Sequence, residues 1–174
     1  MRFHHERSYL FGEMGRWQES VAAGTRAIQL APDDSTGYRN RGVAHLESKE
    51  YDRAIADFTQ RSELEPDEVR AYRSRAYAFA FSERYEQAIV GFTSAMELQP
   101  DCAEDSHNRS LCPLRLERYD EAAADLTDLL RLRSNPGDRL RRGRPCEMGR
   151  LDVRGDGRAR TGRGCRAGRT GSST

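Results

Sequence analysis

Lysine is almost missing from this 174-residue chain: 28 of its 29 basic residues are arginine. A bias of that kind spread over a whole sequence reads as the codon usage of a GC-rich genome, so the count by itself implies no guanidinium chemistry. Apolar residues are also scarce, at 36% with a mean hydropathy of −0.89. That argues against one thick globular core and for a thin architecture in which many residues stay wet. No stretch approaches the roughly 18 apolar residues of a membrane-spanning helix. The opening MRFHHERSYLF lacks a basic stretch, an apolar stretch and a small-residue cleavage site in that order, so no secretory signal is expected and the cytoplasm is the expected compartment.

Chemistry-bearing constellations are absent too. Cys102, Cys112, Cys146 and Cys165 contain no close pair and have no His pair nearby, so a zinc site is not expected and the four read as free thiols. His4 and His5 are adjacent and cannot share one helical face, and His107 has no evident partner. His45 falls in a bulky core slot and reads as a buried, satisfied histidine. There is no strand followed by a Gly-rich phosphate loop and no nucleophile–base pairing. No catalytic residue, metal or cofactor is expected.

What is present is a repeat. Pro32, Pro66 and Pro100 lie 34 residues apart, as do Trp17, Tyr51, Tyr85 and Tyr119. The small residues Ser20, Ala54, Ala88 and Ala122 keep the same step, as do Ser8, Gly42, Ala76 and Ser110, and so does the column Arg7, Arg41, Arg75 and Arg109. Each unit reads as two helices. In 35–68 the residues Tyr38, Arg41/Gly42 and His45 mark a first helix. Tyr51, Ala54/Ile55, Phe58 and Leu64 mark a second, Ser48-Lys49-Glu50 is a polar connection, and Pro66-Asp67 ends the unit. Gly42 and Ala76 face Ala54 and Ala88 where the helices approach closely. One such hairpin cannot bury its apolar face alone, so units must stack.

This order (aromatic, small, bulky, then Ala-x3-Phe, then Pro, at a 34-residue period) resembles the tetratricopeptide repeat. The resemblance covers residues 1–134 as four units, 1–34, 35–68, 69–102 and 103–134, the first and last degenerate. It implies an all-α fold, a right-handed α-solenoid whose first helices line a concave groove. It also implies a non-enzymatic protein-interaction module that holds a partner peptide or helix there. The candidate groove residues are Arg39, Asn40, Val43 and Glu47 from one unit and Arg70, Arg73, Ser74, Tyr77 and Phe81 from the next. The arginines offer forked donors to an acidic or C-terminal carboxylate group of a partner protein or peptide, and Tyr77 and Phe81 offer apolar anchors. Some family members clamp a C-terminal carboxylate. Asn40 and Arg70 match that clamp, whereas His5, Tyr9 and Ser74 replace other members of it. The Arg41 and Arg109 stems are expected to lie along their hairpins and to pair with Asp57 and Asp125, sixteen residues on, while Gly91 leaves Arg75 without such a partner.

Several positions depart from the pattern. Gly24 stands in a bulky slot, where it is expected to leave a gap and to cost about 1 kcal/mol of helix propensity. Pro113 is expected to kink or end its helix near Leu111–Cys112, at about 3 kcal/mol. No amphipathic capping helix is evident after residue 133, so fraying at both ends is expected, or association through a last helix (119–132) exposing Ala122, Leu126, Leu129 and Leu130.

All fourteen aromatic residues lie at or before Tyr119, and residues 137–174 carry eleven Arg against four carboxylates. That tail has a net charge of +7, leaving −6 for residues 1–136. The Arg/Gly-rich segment 135–174 therefore reads as disordered. Salt-dependent nucleic-acid contact is a less favoured alternative, because aromatics for base stacking are missing. The remaining alternatives are a truncated fragment of a larger repeat protein, and a tail produced by reading-frame loss.

Overall fold

The computed structural model describes residues 2–100 and 102–134. Within them the chain forms eight α-helices: α1 (Arg2–Glu13), α2 (Trp17–Leu30), α3 (Ser35–Glu47), α4 (Tyr51–Leu64), α5 (Val69–Phe81), α6 (Tyr85–Leu98), α7 (Ala103–Arg115) and α8 (Tyr119–Ser134). The dominant packing is within the pairs α1/α2, α3/α4, α5/α6 and α7/α8, and then between each pair and the next. The fold is the expected α-solenoid of helical hairpins. The tail at 135–174 lies outside the described residues.

Each hairpin closes in the same way. The turn residues Gly15, Lys49, Glu83 and Glu117 all have positive φ, between 59° and 70°. The following N–H reaches five residues back, as in Arg16 to Phe11 at 2.8 Å and Glu50 to His45 at 2.8 Å, and the turn residue's own N–H reaches three back. This is a Schellman closure, which satisfies the last carbonyls of the first helix. Only the first turn uses glycine. The other three hold an ordinary side chain in the left-handed region, at about 1–2 kcal/mol each. At the start of the next helix, Asp34 accepts from the Thr36 N–H (2.9 Å) and Glu68 from the Arg70 N–H (3.0 Å).

The core is a row of small contacts. Ala54, Phe58 and Ala78 are fully buried with Leu46, and the next cluster along the solenoid joins Ala76, Tyr77, Ala88, Phe92 and Cys112. Glycine at 42 is required sterically: a Cβ there would lie 2.7 Å from the Phe58 ring.

Four expectations are corrected. Gly24 leaves no gap, because a Cβ on it would lie 2.9 Å from that of Arg41 and 3.3 Å from the Ser8 hydroxyl; the missing side chain is what lets α2, α1 and α3 approach. Pro113 does not end α7, which continues to Arg115. It sits in the last turn, where only one helix hydrogen bond is lost, its ring is buried, and its carbonyl accepts the closing bond from Arg118 (2.9 Å). On α8, Ala122 and Leu129 are buried, while Tyr119, Leu126 and Leu130 form the exposed apolar set. Finally, Cys102 is disulfide-bonded, whereas Cys112 is free and buried. Pairing depends on spatial proximity of the Cα atoms, which sequence spacing does not reveal.

Candidate functional site

The first helices α1, α3, α5 and α7 carry the candidate groove residues, and the fold treats these in two ways. On α5 most of them are absorbed into the structure. Arg73 is 2% exposed and forms a two-pronged pair with Asp105 of α7, Nε to Oδ1 at 2.7 Å and Nη2 to Oδ2 at 2.6 Å. Burial opposes the charge of Arg73, but these two bonds and the Asp105 charge outweigh it and hold the guanidinium above its ordinary pKa. Tyr77 is buried edge-on against Phe92, and its hydroxyl accepts from Asn108 Nδ2 at 2.7 Å. Burial pushes that phenol well above its usual range. Ser74 is buried and donates to the Arg70 carbonyl at 2.7 Å. Arg73 and Tyr77 thus build the α5/α7 joint instead of presenting groups to a groove, and Ser74 bonds within its own helix. Phe81 is half-buried and stacks on Tyr51 and Tyr77, each at 6.4 Å, and Arg70 is exposed at the start of α5.

On α3, Arg39, Val43 and Glu47 remain partly exposed, while Asn40 is buried. Arg39, Asn40, Val43 and Glu47 line a cleft of about 700 Å³ facing Tyr9, Glu13 and Met14 of the first hairpin and Trp17 at the start of α2. Gly12 holds this cleft open. The next units carry Leu46 and Ala80 in its slot, and a Cβ on Gly12 would meet only ordinary contacts. Asn40 Nδ2 donates to the His5 carbonyl (3.1 Å) while its Oδ1 accepts from Arg39 Nε (3.2 Å), so Asn40 orients Arg39 and ties α3 to α1. Burial holds the Glu47 carboxyl above its usual range, with no cation in ion-pair reach among the described residues.

The arginine column is structural, as its spacing suggested. Arg41 reaches Asp57 through Nη2 at 2.6 Å and Nε at 2.9 Å, and Nη1 donates to Thr25 of the preceding unit at 3.2 Å. Arg109 repeats this with Asp125 and with Thr93 at 3.2 Å. Where Gly91 replaces the aspartate, Arg75 turns to Ser62 (3.3 Å) and lies over the Tyr72 ring. His45 is buried, with Nδ1 2.6 Å from a Glu50 carboxylate oxygen.

One residue escaped the sequence reading. Arg61 of α4 is 5% exposed, and its Nε has no hydrogen-bond partner among the described residues. The signal was available in the repeat, because the same slot holds Ala27, Ala95 and Leu129 in the other units. Among the described residues no helix is long and apolar enough to cross a membrane, and no three His, Cys, Asp or Glu side chains converge as metal ligands would.

Residues 6–63 match a family model described as tetratricopeptide repeat. No curated protein matches the chain in sequence. Among solved structures, the MamA 41-end chain from Desulfovibrio magneticus RS-1 is 21% identical with a TM-score of 0.71, the alignment covering 76% of each chain. A crystal structure of MamA protein gives 14% identity and a TM-score of 0.73, over 78% of this chain and 74% of that one. A mutant O-GlcNAc transferase of Thermobaculum terrenum gives 22% and 0.58, over 64% of this chain and 22% of that one. At these identities the likeness is one of fold. The 34-residue register, the four helix pairs among the described residues and the family match over residues 6–63 together show a tetratricopeptide repeat fold.

Proposed function

We propose that the chain is a non-enzymatic interaction module, working in the cytoplasm, that holds an extended or helical segment of a partner protein in the groove of its first helices. The observation that carries this reading is the α1/α3 cleft. It is open and walled by Tyr9, Trp17, Met14 and Val43, with Arg39 held in place by Asn40. Aromatic and aliphatic walls with one oriented cation suit a peptide that brings an apolar anchor and a hydrogen-bonding acceptor. The carboxylate-clamp form of the idea loses Arg73, whose fork is filled by Asp105, and the Asn40 amide, which serves α1. Selection of a random peptide library on the full chain tests the proposal. Selected peptides are expected to lose binding to Tyr9→Ala and Arg39→Ala proteins of unchanged helicity. Peptides indifferent to both substitutions, or no selectable peptide, would refute it.

A further inference from the structure

The first two joints of the solenoid close differently. Between the second and third hairpins, Phe81 stacks on Tyr51 with ring centroids 6.4 Å apart and planes 19° apart, and Leu46 and Ala78 pack with them. That joint fills itself. One repeat earlier the slots of Phe81, Tyr51 and Leu46 hold Glu47, Trp17 and Gly12, and the result is the open cleft of about 700 Å³. A carboxylate stands where a ring closes the next joint, and its aromatic counterpart in the register is the chain's one tryptophan.

The cleft also has a charge polarity. Arg39, oriented by Asn40, lies at one end. Glu47 is eight residues further along α3, about 12 Å away on the helix axis. Glu13, in the same slot of the first unit, lines the cleft as well. Neither carboxylate has a cation in ion-pair reach among the described residues. Burial makes the Glu47 charge unfavourable while the cleft is empty. A group that takes the place of the Phe81 ring in this register must lie flat on an aromatic face and carry positive charge. The arginine guanidinium does both, stacking on rings and forking onto a carboxylate, whereas the lysine ammonium is a compact, strongly hydrated point charge. The first hairpin already holds the stacking half of such a contact, with Arg16 over the Phe11 ring at 4.7 Å.

We propose that the α1/α3 cleft takes an arginine side chain of a partner peptide, its guanidinium lying on Trp17 and pairing with Glu47, with Glu13 adding negative charge at the rim. The Phe81–Tyr51 stack is the internal counterpart of the occupied state. The inference rests on the groove reading and names what the partner brings to the end of the cleft away from Arg39.

Because Trp17 is the single tryptophan, its emission reports this site. Titration of the full chain at low salt with hexa-arginine, hexalysine and hexacitrulline tests the proposal. Hexa-arginine is expected to change the emission and to bind several-fold tighter than hexalysine, and hexacitrulline not to bind. Glu47→Gln is expected to weaken hexa-arginine by about tenfold or more and to stay folded, since it removes a charge that burial disfavours. Glu47→Phe, which copies the closed joint, is expected to abolish the emission change and to raise the melting temperature. Should that variant fail to fold, Glu47→Gln decides alone. Asp120→Asn, exposed at the start of α8, is expected to leave binding intact. Five results would overturn the proposal. They are no emission change with hexa-arginine, equal affinity for hexalysine, an equal loss in Asp120→Asn (diffuse attraction), unchanged affinity in Glu47→Gln, or a probe-free emission that responds to salt in the native chain but not in Glu47→Gln (one of the chain's own arginines in the cleft). Library-selected peptides that lose binding to Tyr9→Ala but are indifferent to Glu47→Gln would leave the groove standing and remove this site.

Discussion

Substituting Asp105 by alanine should detach the last hairpin from the rest of the solenoid. Asp105 is fully buried and Arg73 is 2% exposed, so the variant would strand a guanidinium in the interior after removing both of its short bonds. Breaking a buried pair from one side costs about 3–5 kcal/mol, because the surviving charge keeps its desolvation penalty. Gln99, at 3.4 Å, offers Arg73 only a weak substitute. In a solenoid the loss falls on the interface where the pair sits, here between α5 and α7. Native-state hydrogen exchange read by mass spectrometry should show amide protection in α7 and α8 falling by about 10²- to 10⁴-fold, with each 1.4 kcal/mol worth a factor of ten. Protection in α1–α4 should change little. The double substitution Arg73→Met with Asp105→Leu should recover most of the loss, since an apolar pair carries no desolvation penalty. A cost below about 1 kcal/mol in Asp105→Ala, or an equal loss of protection in all four hairpins, would refute the reasoning.

Other positions give equally direct tests. Gly42→Ala should lower stability by about 1–2 kcal/mol in urea titrations, overpacking against Phe58 outweighing the gain in helix propensity; a stabilised variant would contradict the close approach of α3 and α4. Because burial raises the Glu47 carboxyl, the folded state prefers it protonated, so its charge costs stability at neutral pH and the cost disappears as pH falls through the raised value. Glu47→Gln should therefore raise the melting temperature at about pH 7 and lose that advantage by about pH 4, and a gain equal at both would rule this out. Burial pushes the Cys112 thiol up to about 12, so it should resist iodoacetamide in the native protein at pH 8 and react only after unfolding, as peptide mapping would show. Rapid native labelling would count against the packing around it.

Contacts that repeat within one hairpin were legible in the sequence. The sixteen-residue step from Arg41 to Asp57 and from Arg109 to Asp125 is fixed by hairpin geometry and recurs with the period, so it pointed to real pairs. His45 was legible as core because its column is bulky. Contacts between hairpins were not, since they use residues that break the pattern. Asp105 occupies a slot that holds Phe3, Gly37 and Ala71 elsewhere, and only the packing of α7 on α5 brings it to Arg73. Tyr77 looked like a groove anchor until Asn108 of the next unit covered its hydroxyl. Gly24 and Pro113 were misjudged for a related reason. Propensity describes an isolated helix, whereas a close crossing at Gly24 and a last-turn position at Pro113 turn both residues to use. The positive φ at Lys49, Glu83 and Glu117 left no trace, because neither lysine nor glutamate signals a left-handed turn.

The central claim is that the hollow formed by α1, α3 and α5 receives another polypeptide. Amide chemical-shift mapping of a library-selected peptide on the full-length chain tests it most directly. The account predicts shifts confined to α1, α3 and the start of α5, including Tyr9, Arg39 and Val43. Shifts gathered instead on the exposed faces of α2, α6 and α8 would contradict it.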